Sequence, residues 1–149
     1  MLKTKLLQPD ILRALAAAGH NSKVLIADGN YPISTTLGPR AVPVYMNLSP
    51  GVVSATEVLE AIAASVPIES AAVMLPRRSG PYGMKNNPPI WAEFDKILKK
   101  HGNKVEIEEL KIQEFYAMAA GPDVALSVAT GERRIYANIL LKIGAILPD

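Results

Sequence analysis

Apolar positions along the 149-residue chain follow two alternating rhythms, one at helical spacing and one in short continuous runs. Ile11, Leu12, Leu15 and Ala16 share a face of a helix predicted over residues 10–18, with Pro9 near its first turn and Gly19 at the left-handed position that ends it. Val24, Leu25, Ile26 and Ala27 form an unbroken apolar run, as expected of a strand covered on both faces, and it stops at Asp28-Gly29-Asn30, where turn chemistry begins. Asn30–Pro43, with Pro32, Pro39 and Pro43, reads as irregular, and Val42–Leu48 as a strand weakened by Pro43. Ser54-Ala-Thr-Glu57 has the form of a capping box. It opens a helix with Val58, Leu59, Ile62 and Ala63 on one side and Pro67 beyond its end. Ala71–Leu75 resembles a second buried strand.

Between Pro76 and Pro89, four prolines and two glycines sit among Arg77, Arg78, Lys85, Asn86 and Asn87. This is the longest predicted loop and a candidate lid. Ile90, Phe94, Ile97 and Leu98 repeat at helical spacing, and Lys99, Lys100 and His101 gather cations where a helix C-terminus favours them, before Gly102. A strand over Lys104–Glu108 follows, then a helix over Gln113–Ala120 stopped by Gly121-Pro122, a strand over Val124–Val128, a turn at Thr130–Arg134 and a last strand over Tyr136–Leu141. Strands separated by helices predict an α/β fold: one three-layer domain over residues 1–149, with a mainly parallel central sheet flanked by helices.

Composition narrows the function. With 49% hydrophobic and 20% charged residues the chain has ample apolar surface for a core, which excludes general disorder. Sixteen Lys and Arg against fourteen Asp and Glu give no strong field, so neither nucleic acid nor an anionic membrane is an expected partner. The absence of cysteine excludes disulfides, thiolate metal sites and a Cys nucleophile, and fits a reducing compartment. The N-terminal segment lacks an apolar signal core, and no run approaches the roughly 18 apolar residues of a membrane span. A cytoplasmic protein is the expectation. Neither glycine-rich phosphate-binding signature is present, and the two histidines lack the spacing of a catalytic zinc site. Neither a cofactor nor a metal is therefore expected.

The remaining chemistry centres on His20 and Asp28, which flank the first strand. In a parallel sheet Asp28 stands at the carboxyl end, the edge where open α/β sheets place ligands. His20 lies at the opposite end, roughly 20–25 Å away at about 3.3 Å per residue. A site using both therefore requires a shorter strand, or residues from another region or a neighbouring subunit. Each residue also has a purely structural reading: His20 as a partner of the preceding helix's carbonyls, Asp28-Gly29-Asn30 as a simple turn. Tyr136 and Asn138, two apart on the predicted last strand, would face one side, solvated or partnered by a ligand rich in hydroxyls. His101 reads as a helix-end cation, and Trp91 and Phe94 as core.

Gly19-His20, Val24-Leu-Ile-Ala-Asp28 and Tyr31-Pro32, together with Thr130-Gly131-Glu132 and Tyr136-Ala-Asn138-Ile-Leu-Leu, resemble the ribose pyranase/fucose mutarotase family. The fragments bracket almost the whole chain in the right order, while Val42–Pro89 contributes little. The resemblance implies interconversion of ring forms of a free monosaccharide without cofactor or metal. It also implies a ring-shaped homo-oligomer, a decamer among the candidates, with sugar sites shared between subunits. Carried over by position, the acid/base histidine is His20 and the strand-end carboxylate is Asp28. Tyr136 completes that catalytic set through a sugar hydroxyl, and Asn138, Tyr116, Asn30 and Lys111 are further substrate contacts. Phe115-Tyr116, Gly131-Glu132-Arg133 and Leu141-Lys142 look more like the fucose-type branch. The ribose-type second histidine is missing from Lys111-Ile-Gln-Glu114, Asn30 stands where fucose-type members often carry His, and the Pro76–Pro89 loop fits neither branch.

The implied chemistry needs one base and one acid, and imidazole, with a reference pKa of about 6.5, serves in either role. A non-catalytic sugar-binding or regulatory module of the same fold is the alternative, supported by the missing second histidine. A structural assembly protein without a ligand is the third reading.

Overall fold

The structure is a computed structural model that describes residues 1–149. Its frame is a six-stranded sheet in the order β2-β5-β1-β6-β3-β4. The strands are β1 (Lys23–Ala27), β2 (Val42–Tyr45), β3 (Ile68–Met74), β4 (Ile107–Leu110), β5 (Val124–Ala129) and β6 (Ile139–Ile143). β1 and β2 pair parallel to β5, and β3 pairs parallel to β4. β6 alone is reversed, lying antiparallel to both β1 and β3. That reversal brings the residues entering β6 to the edge where β1 and β5 leave the sheet.

The helices cover the two faces: α1 (Pro9–Ala18), α3 (Ala55–Ala63) and α4 (Ile90–Lys100) on one, and α5 (Ile112–Ala119) with the single-turn α2 (Ile33–Thr36) on the other. Strand alternation feeds both layers. Val24 and Ile26 of β1 join Phe94, Leu59 and Ile11, whereas Leu25 and Ala27 join Phe115 and Ile33. The expected three layers and mainly parallel sheet are therefore present. The Ser54–Glu57 capping box is formed in full, with the Ser54 hydroxyl accepting from the Glu57 N–H and the Glu57 carboxylate accepting from the Ser54 N–H. β2, which contains Pro43, pairs on one side only, as a strand with a missing N–H must.

Several boundaries differ from the sequence reading: β2 ends at Tyr45 rather than Leu48, and β3 begins at Ile68 rather than Ala71. The segment read as irregular after Asn30 contains α2. β4 begins at Ile107 rather than Lys104, because its register with β3 opens at Ala71, while the Ile68 N–H is taken by the Asn103 side chain. The last strand begins at Ile139, so Tyr136 and Asn138 sit in the turn before it and not on the strand. Tyr136 has φ 58°, and the Ala137 N–H bonds to the Asp28 side chain instead of to a strand neighbour.

Candidate functional site

Asp28 is the first residue beyond β1 and is almost fully buried, at 4% exposure. Its Oδ1 accepts from the Asn30 N–H at 2.9 Å. Its Oδ2 accepts from the Ala137 N–H and from Asn138 Nδ2, each at 3.1 Å. The Asp28 N–H donates in turn to Asn138 Oδ1 at 2.7 Å. Burial pushes the Asp28 carboxyl above its usual range, and the bonds from Asn30, Ala137 and Asn138 pull it back. The Tyr31 N–H is a fourth group that lowers it.

The turn that supplies Ala137 and Asn138 is held from its other side. Arg134 forks onto the buried Glu132 carboxylate with Nε and Nη2 each at 2.9 Å and also reaches Glu93 at the start of α4. Hydrogen bonds from Arg134 keep the Glu132 carboxyl below the usual range. This brace fixes Tyr136 in a left-handed conformation that costs a bulky residue about 1–2 kcal/mol. The Tyr136 hydroxyl donates to the Tyr82 carbonyl at 3.0 Å and accepts from the Arg77 N–H at 3.2 Å, which ties the Pro76–Pro89 loop to the site.

Asp28, Asn30, Tyr31, Met74, Tyr82, Tyr116, Ile135, Tyr136 and Asn138 enclose a cavity of about 410 Å³. Four of the chain's five tyrosines line it. Tyr31 stacks on Tyr116 with ring centres 5.1 Å apart and meets Phe115 edge-on at 6.3 Å. Burial raises the phenol pKa of Tyr31 strongly. Tyr116 is raised by burial first, then by the negative charge of Asp28. Both phenols are therefore neutral hydrogen-bonding groups near pH 7, and neither is a ready base. A wider polar cleft of about 510 Å³, lined in part by Asn47, Ser49, Thr130 and Arg133, adjoins the cavity at Asn30.

Of the residues assigned from sequence, Asp28, Asn30, Tyr116, Tyr136 and Asn138 come together, while His20 and Lys111 do not. Lys111 stands between β4 and α5, its N–H bonded to Glu114, and lies outside the cavity lining. His20 precedes β1 at the amino edge of the sheet, its side chain half-exposed. It has no contact with Asp28, so within one chain Asp28 does not orient it. Its Nε2 lies 2.8 Å from Glu69 Oε2, and Asn21 Nδ2 approaches its Nδ1 at 3.4 Å. Lys142 holds the other Glu69 oxygen at 2.7 Å, and hydrogen bonds from Lys142 and His20 keep the Glu69 carboxyl below its usual range. The sequence reading missed Tyr31, Met74, Tyr82, Ile135 and Glu69. Of these, Tyr31 carries a sequence signal, since it belongs to the Tyr31-Pro32 motif three residues after Asp28. His101 is structural as read, bonded to Glu60 at 2.9 Å, and Trp91 and Phe94 are core. No three His, Asp or Glu residues gather in a way that would hold a metal ion, and no helix is long and apolar enough to cross a membrane.

An open, mainly parallel α/β sheet with a buried carboxylate, an amide and four phenols around one cavity at its carboxyl edge defines a domain that takes a small hydroxyl-bearing ligand. The chain belongs to the RbsD / FucU transport protein family, whose profile matches residues 1–146. It is 31% identical over 149 residues to the fucose mutarotase of Homo sapiens, covering 95% of this chain and 90% of that one. It is 30% identical over 148 residues to the D-ribose pyranase of Histophilus somni strain 129Pt, covering 97% and 98%. Among solved structures, the fucose mutarotase of Streptococcus pneumoniae in complex with L-fucose superposes with a TM-score of 0.80 at 25% identity, covering 99% of this chain and all of the other.

Proposed function

We infer that this chain is a cofactor-independent monosaccharide mutarotase acting on an L-fucose-like pyranose. The observation that carries the reading is the cavity at the carboxyl edge. It has the volume and the hydrogen-bonding groups for one sugar ring, including a buried carboxylate. Similarity to fucose mutarotases over almost the full length of both chains supports the same substrate class.

Ring opening removes the proton of the anomeric hydroxyl and delivers a proton to the ring oxygen as the bond between C1 and that oxygen breaks. The resulting aldehyde rotates about C1–C2, and the reverse transfers close the ring with either configuration. Asp28 and Asn138 bind sugar hydroxyls. The Tyr136 proton is engaged by the Tyr82 carbonyl, so towards the sugar this phenol is an acceptor. His20 of a second copy of the chain supplies the acid/base group, completing a site that one subunit holds only in part. Glu69 accepts from Nε2–H of that imidazole, leaving Nδ1 as the exchanging nitrogen. The ring-shaped homo-oligomer that the sequence resemblance implies would suit this division, because Asp28 and His20 occupy opposite sheet edges. A free sugar as substrate and a chain without cysteine support a cytoplasmic setting.

The separation of His20 from the cavity also favours one competing reading, a sugar-binding module in which the imidazole has no part. Exchange NMR of L-fucose anomers decides between them. A mutarotase speeds exchange above the spontaneous rate, and His20→Ala lowers the enzymatic rate by about 10²–10⁴-fold. Binding without faster exchange supports the module.

A further inference from the structure

We infer that Tyr82, on the Pro76–Pro89 loop, is a sugar-stacking residue that favours a methyl-bearing pyranose over a pentose. The inference rests on the mutarotase reading and adds a specificity residue to it.

The loop is built to hold this one side chain at the cavity mouth. Gly80-Pro81-Tyr82-Gly83 is a β-turn closed by the Gly83 N–H on the Gly80 carbonyl at 3.0 Å, with proline second and glycine fourth, as a type I turn prefers. A Cβ on Gly83 would lie 2.8 Å from the Ser79 backbone, so the turn packs closely against its own approach. Below it the Met84 N–H closes on the Arg77 carbonyl at 2.8 Å. Arg78 ties the two limbs together, donating to the carbonyls of Met84 and Lys85 and to Asn87 Oδ1, and Asn87 passes the link to Glu109 on β4. The Tyr136 hydroxyl anchors the apex through the Tyr82 carbonyl.

All of these anchors are on the backbone or on other side chains. Tyr82 is 68% exposed and lines the cavity without being part of either core cluster. A large aromatic residue kept out of the core, on a backbone anchored beside this cavity, is suited to a ligand with one apolar face. A pyranose has such a face in its ring C–H groups. Met74 and Ile135 line the same cavity and extend the apolar wall, where a carbon substituent without a hydroxyl fits. A 6-deoxyhexose has that substituent and a pentose lacks it.

The test is the KM for anomer exchange of L-fucose and of D-ribose in the unaltered protein, Tyr82→Phe and Tyr82→Ala, with thermal unfolding of each. Tyr82→Ala is expected to raise the KM for L-fucose by about 5–20-fold and that for D-ribose by about threefold less, from the apolar area lost. Tyr82→Phe stays within about twofold of the parent, because the ring and not the hydroxyl makes the contact. Unfolding temperatures stay unchanged, since the ring is outside the core. Unchanged KM in Tyr82→Ala, equal losses in Ala and Phe, or equal losses for the two sugars would overturn the inference. Failure of the unaltered protein to bind or exchange either sugar would instead overturn the mutarotase reading beneath it.

Discussion

Asp28 and Glu60 carry the same functional group in opposite environments. Asp28 is buried, and its carboxyl is raised by that burial. Glu60 lies on the surface of α3, where hydrogen bonds from Lys100, Lys5 and His101 hold it down to about 2. The consequences for stability have opposite signs. A carboxylate depressed on folding contributes stability that is fully present above its unfolded value of about 4.3 and is lost as pH falls through the folded value. Glu60 therefore supports the fold at neutral pH and gives up that support between about pH 4.3 and about 2. Asp28, raised on folding by burial, contributes with the opposite sign, since acidification relieves part of the cost of burying its charge. Glu57, Glu69, Asp123 and Glu132 are depressed like Glu60, and the protein as a whole is expected to lose stability in acid. Glu60→Gln should lower the unfolding temperature at pH 7 and flatten the decline between pH 4.3 and 2. Calorimetry across that range checks it; a variant with the parent's full acid slope would show that the cluster contributes nothing.

At the scale of elements, the turn from Arg134 to Asn138 couples the reversed strand β6 to the loop above the cavity. Tyr136→Phe removes one donor and one acceptor while leaving the ring in place. The expected cost in global stability is about 1 kcal/mol, because both bonds are exposed. Amide exchange at Arg77 and trypsin cleavage at Arg77 or Arg78 should both accelerate, and unchanged protection in the variant would argue against the latch. The same turn marks where sequence reading fails. Tyr-x-Asn-Ile-Leu-Leu alternates like a strand throughout, and nothing in that pattern reveals that Asp28, 109 positions away from Ala137, takes the N–H a strand partner would need. Signals whose cause is local are legible in the sequence. The capping box is carried within four residues, and the α4 cations answer a helix end beside them. β4 starts later than its alternation predicts, and a side chain from Asn103 takes the Ile68 N–H instead. Tyr82 left no periodic trace at all, since a loop residue's position depends on which groups hold the loop.

Taken whole, the molecule keeps the proposed acid/base imidazole and the Asp28 cavity on opposite edges of one sheet. Strand arithmetic alone placed His20 far from Asp28, and the structure keeps them apart. The partner of that imidazole, Glu69, was not legible, because it depends on the antiparallel pairing that sets β6 and Lys142 beside β3. A single subunit therefore offers a binding cavity with no imidazole and an imidazole outside that cavity, so the proposed mechanism needs two copies. Subunit complementation between His20→Ala and Asp28→Asn tests this most directly, with each variant first verified as folded and then mixed under conditions that exchange subunits. Each alone should leave L-fucose anomers exchanging at the spontaneous rate. The mixture should recover about a quarter of the parent's rate, the share of sites that random assembly builds from an intact His20 and an intact Asp28. Mixed assemblies detected by native mass spectrometry but exchanging no faster than the separate variants would contradict the account.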